Sequence, residues 1–232
     1  MKGASLFLTL FFITTNLCAQ DWKVIGELDY AAESLMSDEK SDLLYIGGAF
    51  ETINGRQFYR IATWNGQQWS GLDYGVHYDS VSWGGGVSQI TNYNDKLIVV
   101  GSFNHVGYYQ KSKNIALWNT DSLKWETMNW NPNEAVYYVL QQNDTTFVLG
   151  GYDSIGGVAI RGTSYLYQNQ WTNMSPPDGA EIPKVLVPYQ NSYYLGGNMN
   201  GSIPGVNDIA RWDGLKFHPV GTGVSGGLGH VH

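Results

Sequence analysis

Three features of the sequence predict an all-β chain folded as a β-propeller of four-stranded blades. It is rich in glycine and aromatic residues, it is poor in charge, and it repeats itself four times at intervals of about fifty residues. Of 232 residues, 29 are glycine, 14% are aromatic and 14% are charged. An average soluble domain carries about 25% charge and about 7% glycine. This composition excludes disorder, which needs high charge and few aromatics. Coiled coils and helical bundles are excluded too, because they are built from Ala, Glu, Lys, Leu and Arg.

The repeat is read from its second strand. Leu44-Tyr45-Ile46-Gly47-Gly48-Ala49-Phe50 returns as Ile98-Val99-Val100-Gly101-Ser102-Phe103, as Phe147-Val148-Leu149-Gly150-Gly151-Tyr152, and as Tyr194-Leu195-Gly196-Gly197-Asn198. Gly48, Gly101, Gly151 and Gly197 mark intervals of 53, 50 and 46 residues. A second apolar run follows each: Ile61–Trp64, Ile115–Trp118, Tyr165–Tyr167 and Ile209–Trp212. A short turn then leads to Trp69, Trp125, Trp171 or Phe217. Runs this short, β-branched and aromatic, with turn residues on both sides, are strands. Asn65-Gly66 and Asp213-Gly214 are hairpin signals, since both central residues of a two-residue turn need positive φ. Segments such as 87–91 and 184–188 add a strand before each glycine run, giving four per repeat over residues 33–75, 87–130, 137–175 and 184–222. One such sheet has two apolar faces and buries neither alone; stacking sheets around an axis buries both.

Gly47-Gly48-Ala49-Phe50 followed by Ile61-Ala62-Thr63-Trp64-Asn65-Gly66-Gln67-Gln68-Trp69 resembles the kelch-type propeller repeat, the kind found in the central domain of galactose oxidase. It is especially similar to the Gly-Gly-x-Phe / Ala-x-Trp-x-Gly repeats of secreted bacterial propellers. The resemblance covers residues 22–232 and implies the fold far more than the activity. The third repeat departs from it, with Tyr167 in place of Trp and a shorter loop after Gly151.

Residues 1–19 read as a secretory signal peptide: Lys2, an apolar run from Leu6 to Ile13, and Ala19 at the cut. The run is too short to span a bilayer, which takes about 20 residues, and no second one follows, so the expectation is a secreted, extracellular protein without membrane insertion. Acylation at Cys18 fits poorly, because Leu17 stands where a small residue is wanted. Cys18 is the only cysteine, so residues 20–232 carry no disulfide, thiolate metal site or cysteine nucleophile. Trp22–Gly26 matches an outer strand and 229–232 the opening of an inner one. The expectation is four full repeats with partial blades at both ends, a truncated ring.

Signals for chemistry are thin. There is no Ser-x-Asp-x-Gly-x-Thr-Trp box, His-Glu-x-x-His, Gly-x-Ser-x-Gly, phosphate loop or Asp-x-Asp-x-Asp calcium loop. The histidines, His77, His105, His218, His230 and His232, do not form a zinc-ligand spacing. No cofactor, metal or catalytic residue is implied. A net charge of −7 without a basic stripe argues against nucleic acid.

In a propeller, the loops between second and third strands share a face with the blade-to-blade connections. Here those are the long loops, and long loops on a rigid scaffold carry function. They gather Trp83, Trp130, Tyr78, Tyr108 and Tyr109, with Arg56, Tyr59, His77, His105 and Arg161 as polar neighbours. Such groups suit a sugar or a protein hot spot, although Trp83 and Trp130 also fit a structural role covering a blade end. The expected function is therefore a non-catalytic interaction module that binds a protein or an extracellular polysaccharide. The alternative is a glycan-active hydrolase or lyase with an axial site. Its acids would come from Glu51, Asp79, Asp153, Asp178, Glu181 and Asp208, which are scattered over different loops.

Overall fold

Each repeat folds as one antiparallel meander in which every strand pairs with the next in sequence. The computed structural model describes residues 23–79, 85–174, 183–199 and 203–224. Residues 1–19, read above as a signal peptide, and Trp22, Trp83, Asp178, Glu181, His230 and His232 lie outside them. The first sheet contains Ala32–Asp38, Leu43–Gly48, Ile61–Trp64 and Trp69–Gly71. The second contains Gly86–Tyr93, Lys96–Ser102, Ile115–Asn119 and Lys124–Thr127. The third contains Val136–Gln142, Thr145–Gly150, Thr163–Tyr167 and Gln170–Asn173. The fourth contains Pro183–Tyr189, Ser192–Gly197, Ile209–Trp212 and Phe217–Pro219. The described residues contain no helix.

Consecutive sheets stack face to face. Tyr45 and Ile61 of the first meet Val87, Leu97 and Val99 of the second. On the other side of the second sheet, Ile98, Val100 and Ile115 meet Val136, Val139 and Val148 of the third. Phe147 and Leu149 then meet Leu186, Leu195 and Ala210 of the fourth. A strand covered on both faces must be apolar at every position, which is why Leu97-Ile98-Val99-Val100 is uninterrupted and fully buried. Side chains also tie first strands together: the Ile90 N–H donates to Ser34 Oγ at 2.9 Å and the Val139 N–H to Gln89 Oε1 at 2.6 Å.

The glycine of each second strand lies where the first strand crosses it. A Cβ on Gly48, Gly101 or Gly150 would overlap the carbonyl oxygen of Ala31, Gly86 or Ala135. The equivalent residue in the third repeat is thus Gly150, not the Gly151 of the sequence spacing. The N–H of Gly150 donates to the Gly162 carbonyl at 2.8 Å, as Gly48, Gly101 and Gly197 donate to Arg60, Asn114 and Asp208 at 3.1 Å. Those four acceptors all have positive φ, at 31°, 70°, 61° and 61° respectively. Two of their side chains lock the connection to the next sheet. Arg60 donates to the Val76 and Gly85 carbonyls at 3.3 and 3.1 Å. Asn114 donates to Pro132 and Glu134 at 3.2 and 2.9 Å.

The turns between third and fourth strands are closed by a side chain in the first, second and fourth sheets, while in the third Gln168 and Asn169, both with positive φ, form a two-residue hairpin between Tyr167 and Gln170. Oδ1 of Asn65 accepts the N–H groups of Gln67 and Gln68, and Oδ1 of Asp213 accepts those of Leu215 and Lys216. Gly66 and Gly214 are left-handed while Asn65 and Asp213 are not, so the turn is one that an Asx side chain closes.

At the edge of the stack, Trp69 Nε1 donates to the Ile25 carbonyl at 3.0 Å, just as Trp125 Nε1 donates to Leu72 at 3.0 Å. Residues 25–29 therefore sit against the first sheet as 72–77 sit against the second. Leu35, on the first sheet's outward face, is 66% exposed, whereas its equivalent Ile90 is 3% exposed under the first sheet.

The glycine approach sets the first expected outcome. Gly101→Ala should lower unfolding free energy by about 3 kcal/mol through overpacking against backbone. Gly66→Ala, which meets no atom within 4 Å but has a φ of 88°, should cost about 1 kcal/mol. Urea denaturation of the two variants measures the difference, and equal losses would contradict the steric account.

Candidate aromatic binding site

The site begins with the connection leaving the first sheet. Val76–His77 pairs with His105–Val106, and that strand pairs with Gln110–Lys111, making a small three-stranded sheet on the second repeat's loop. Val76 and Val106 are fully buried, so the alternation of strand side chains turns His77, His105 and Lys111 outward together. His105 lies opposite both His77 and Lys111 in the register.

Tyrosines surround this pair. The ring of Tyr59 is 4.8 Å from His77, and Tyr109 stacks on His77 at 6.5 Å and 18° while meeting His105 edge-on at 6.1 Å. Tyr108 stands nearly perpendicular to Tyr109 at 5.4 Å and meets Tyr74 edge-on at 5.6 Å and 62°. His77 Nε2 donates to the Tyr74 carbonyl at 2.6 Å, which fixes its ring. His105 Nδ1 contacts Asn104 Oδ1 at 2.9 Å and Asp79 Oδ1 at 3.2 Å, so Asp79 is the carboxylate of the site. Tyr74, Tyr108 and Tyr109 are 58%, 76% and 72% exposed.

Three of these tyrosines have left-handed backbone: Tyr59 at 54°, Tyr74 at 60° and Tyr109 at 65°. A bulky residue there costs about 1 kcal/mol against glycine, and such strain collects at functional positions. The other repeats resolve the same corner differently. In the first, Oδ1 of Asp29 accepts the N–H groups of Glu51 and Thr52, each at 2.9 Å. In the third, Oδ1 of Asn133 accepts those of Asp153 and Ser154, each at 3.0 Å. In the second repeat this cap is replaced by His77, whose backbone carbonyl accepts the Asn104 N–H at 2.9 Å and leaves the imidazole to the tyrosines. The hairpin tips also differ: the two-residue Asn54-Gly55 and Gly156-Gly157 in the first and third repeats, the three-residue Gly107-Tyr108-Tyr109 in the second.

The structure thus gathers His77, His105, Tyr108 and Tyr109, while Tyr78 is set beside Gly85. Arg56 is not among them; it lies on the first sheet's own hairpin, its guanidinium 5.3 Å over the Phe58 ring. Arg161 belongs to the third sheet's loop, exposed and away from the cluster. Trp130 requires a correction: it is 7% exposed, edge-on to Tyr93 at 5.8 Å and Trp171 at 5.1 Å, and so is core between the second and third sheets. Trp83 falls outside the described residues. Sequence reading missed Tyr74 and Asn104. The Asp73-Tyr74-Gly75 stretch resembles any turn, and its only signal is a bulky aromatic before a glycine.

The described loop acids are already engaged. Glu51 pairs with Arg60 at 2.5 Å, Asp79 with His105, Asp153 with Asn133 at 2.6 Å, and Asp208 Oδ1 accepts the Met199 N–H at 3.2 Å. Among the described residues no group of three or more His, Cys, Asp and Glu could hold a metal ion. The arrangement offers ring faces and polar tips for binding.

Fold and site together define an all-β repeat protein with an aromatic surface on one loop cluster. No family model matches the chain, and no curated protein matches it. Among solved structures it is similar to the computationally designed Ika4 protein, at 12% identity and a TM-score of 0.43, over 79% of this chain and 91% of that one. It is also similar to the computationally designed Ika8 protein, at 13% identity and a TM-score of 0.43, over 84% of this chain and 62% of that one.

Two outcomes are expected. Burial opposes ionisation of Asp29, but N–H donation from Thr52 and Glu51 outweighs it and holds its pKa below the ordinary 3.8. A depressed folded pKa contributes stability above the unfolded value that is lost as pH falls through the folded one. Asp29→Asn, which keeps the acceptor without the proton, should therefore lose less stability than the parent between about pH 5 and pH 2; parallel urea midpoints across that range would refute the cap's role. Tyr109→Gly should leave unfolding free energy unchanged or raise it by up to about 1 kcal/mol, through release of left-handed strain. A loss of more than about 1 kcal/mol would make Tyr109 a packing residue.

Proposed function

We propose that this chain is an exported, kelch-like β-propeller interaction module that binds a protein or extracellular glycan through the loop face centred on His77 and His105. The carrying observation is the set of strained tyrosines around His77, with Tyr74, Tyr108 and Tyr109 exposed on the one described corner where an Asx cap is replaced. Backbone strain retained beside exposed aromatic rings supports a ligand site, and so does a hairpin lengthened to Gly107-Tyr108-Tyr109 where its sister repeats turn on two residues. The propeller reading is supported by four meander sheets stacked in chain order. Export is supported by the leader-like residues 1–19. A non-catalytic role is supported by the engagement of Glu51, Asp79, Asp153 and Asp208, the described acids of the alternative reading.

The test is a binding array carrying extracellular glycans and extracellular proteins, probed with the parent chain and with Tyr108→Ala/Tyr109→Ala. The parent should bind at least one probe, and the double variant should bind it at least about tenfold more weakly, as expected for truncated aromatic anchors, with an unchanged urea midpoint. No binding to either class, or binding indifferent to the two substitutions, would refute the proposal.

A further inference from the structure

The geometry points to a neutral, soluble carbohydrate chain as the ligand of the tyrosine surface, an inference that rests on the binding role proposed above. The exposed apolar groups are the first reason. Between residues 59 and 113, the large hydrophobic side chains exposed among the described residues are Tyr74, Tyr78, Tyr108 and Tyr109, with no exposed leucine, isoleucine, valine or methionine beside them. A protein hot spot also favours tyrosine, but seats it in a well-packed, fully desolvated pocket, whereas Tyr74, Tyr108 and Tyr109 project into solvent beside an exposed carboxylate. A tyrosine surface instead keeps its hydroxyls wet while offering electron-rich ring faces. A sugar ring has matching duality: a face of C–H bonds that meets the negative aromatic face, and an equator of hydroxyls that bonds to polar neighbours.

The polar neighbours suit that equator. The Asp79 side chain is 59% exposed and oriented by His105, so its free oxygen accepts while the histidine holds it in place. Charge gives a polyanion no foothold: Asp73 and Asp79 offset Lys111 and Lys113 on this loop cluster, leaving no net positive field. The whole chain carries −7. A sulfated or uronic chain would gain nothing from this field.

Ring orientation separates a free chain from a crystalline surface. Tyr108 makes 80° with Tyr109 and 62° with Tyr74, so the faces do not form one plane. Successive residues of a flexible, twisting chain can each find a ring, whereas a flat crystalline face meets at most one.

Affinity electrophoresis tests the inference, with the chain run through gels containing mixed-linkage β-glucan, xyloglucan or galactomannan, and separately heparin or alginate. Pull-down on microcrystalline cellulose provides the flat surface. At least one neutral polysaccharide should retard the parent, with neither polyanion nor crystalline cellulose doing so. Tyr108→Ala/Tyr109→Ala should weaken retardation at least tenfold, and Tyr108→Phe/Tyr109→Phe should keep most of it, because the ring faces remain. Absence of retardation by every neutral chain, retardation by polyanions, or indifference to the alanine pair each overturns the inference. If a protein on the array is lost with the same two tyrosines while no neutral chain binds, the carbohydrate assignment falls and the binding role stands. If neither class binds, both fall.

Discussion

The fold depends on a backbone-to-backbone approach that no side chain permits. Where the first strand of each repeat crosses the second, a carbonyl oxygen occupies the volume of the Cβ missing from Gly48, Gly101 or Gly150. That contact bends the first strand, and a register shift follows at the same place in all four sheets, between Ala32 and Ser34, Val87 and Gln89, Val136 and Tyr138, and Pro183 and Val185. The bulge increases local twist, and twisted sheets of equal shape can stack one after another with both faces filled. The same glycine donates its N–H to a left-handed residue before the third strand, so one backbone position fixes the first, second and third strands together.

From that left-handed residue the constraint passes to the loops. Arg60 fastens the connection containing Val76, and Val76–His77 then adds to the next repeat's hairpin. The corner of the second repeat is therefore held by buried valines below and by Arg60 from the side. Such a rigid base can keep Tyr59, Tyr74 and Tyr109 in a backbone region they disfavour. Without those supports the hairpin would relax and the rings would not share one surface.

Much of the strand layout was legible because its signals are local. Runs such as Leu97–Val100 announce a strand covered on both faces, and their recurrence announces the sheets. The third repeat was misaligned by one residue because Gly150 and Gly151 are indistinguishable by type, and only the crossing carbonyl of Ala135 tells them apart. The site was legible in part for a related reason. His77, Tyr78, His105, Tyr108 and Tyr109 stood out as aromatic and imidazole groups beyond the repeat pattern. Trp130 stood out in the same way, yet it is core. Its burial comes from Tyr93 and Trp171 on two different sheets, a non-local fact that no spacing expresses. Arg56 and Tyr108 occupy comparable loops of different repeats, and only the stacking of sheets decides that they do not meet.

A repeat architecture carries its own control experiment. Positions that agree across repeats are explained by the packing all repeats share; positions that differ need another cause. Asp29 and Asn133 show what the corner requires for stability alone, a side-chain oxygen taking two N–H groups. His77 meets that need only through its backbone carbonyl, and the two-residue hairpin tip of its sister repeats becomes the three-residue Gly107-Tyr108-Tyr109. Two departures from the stable solution, at positions far apart in sequence, converge on one surface. The proposed binding role accounts for both departures at once, because each adds to the same surface around one imidazole.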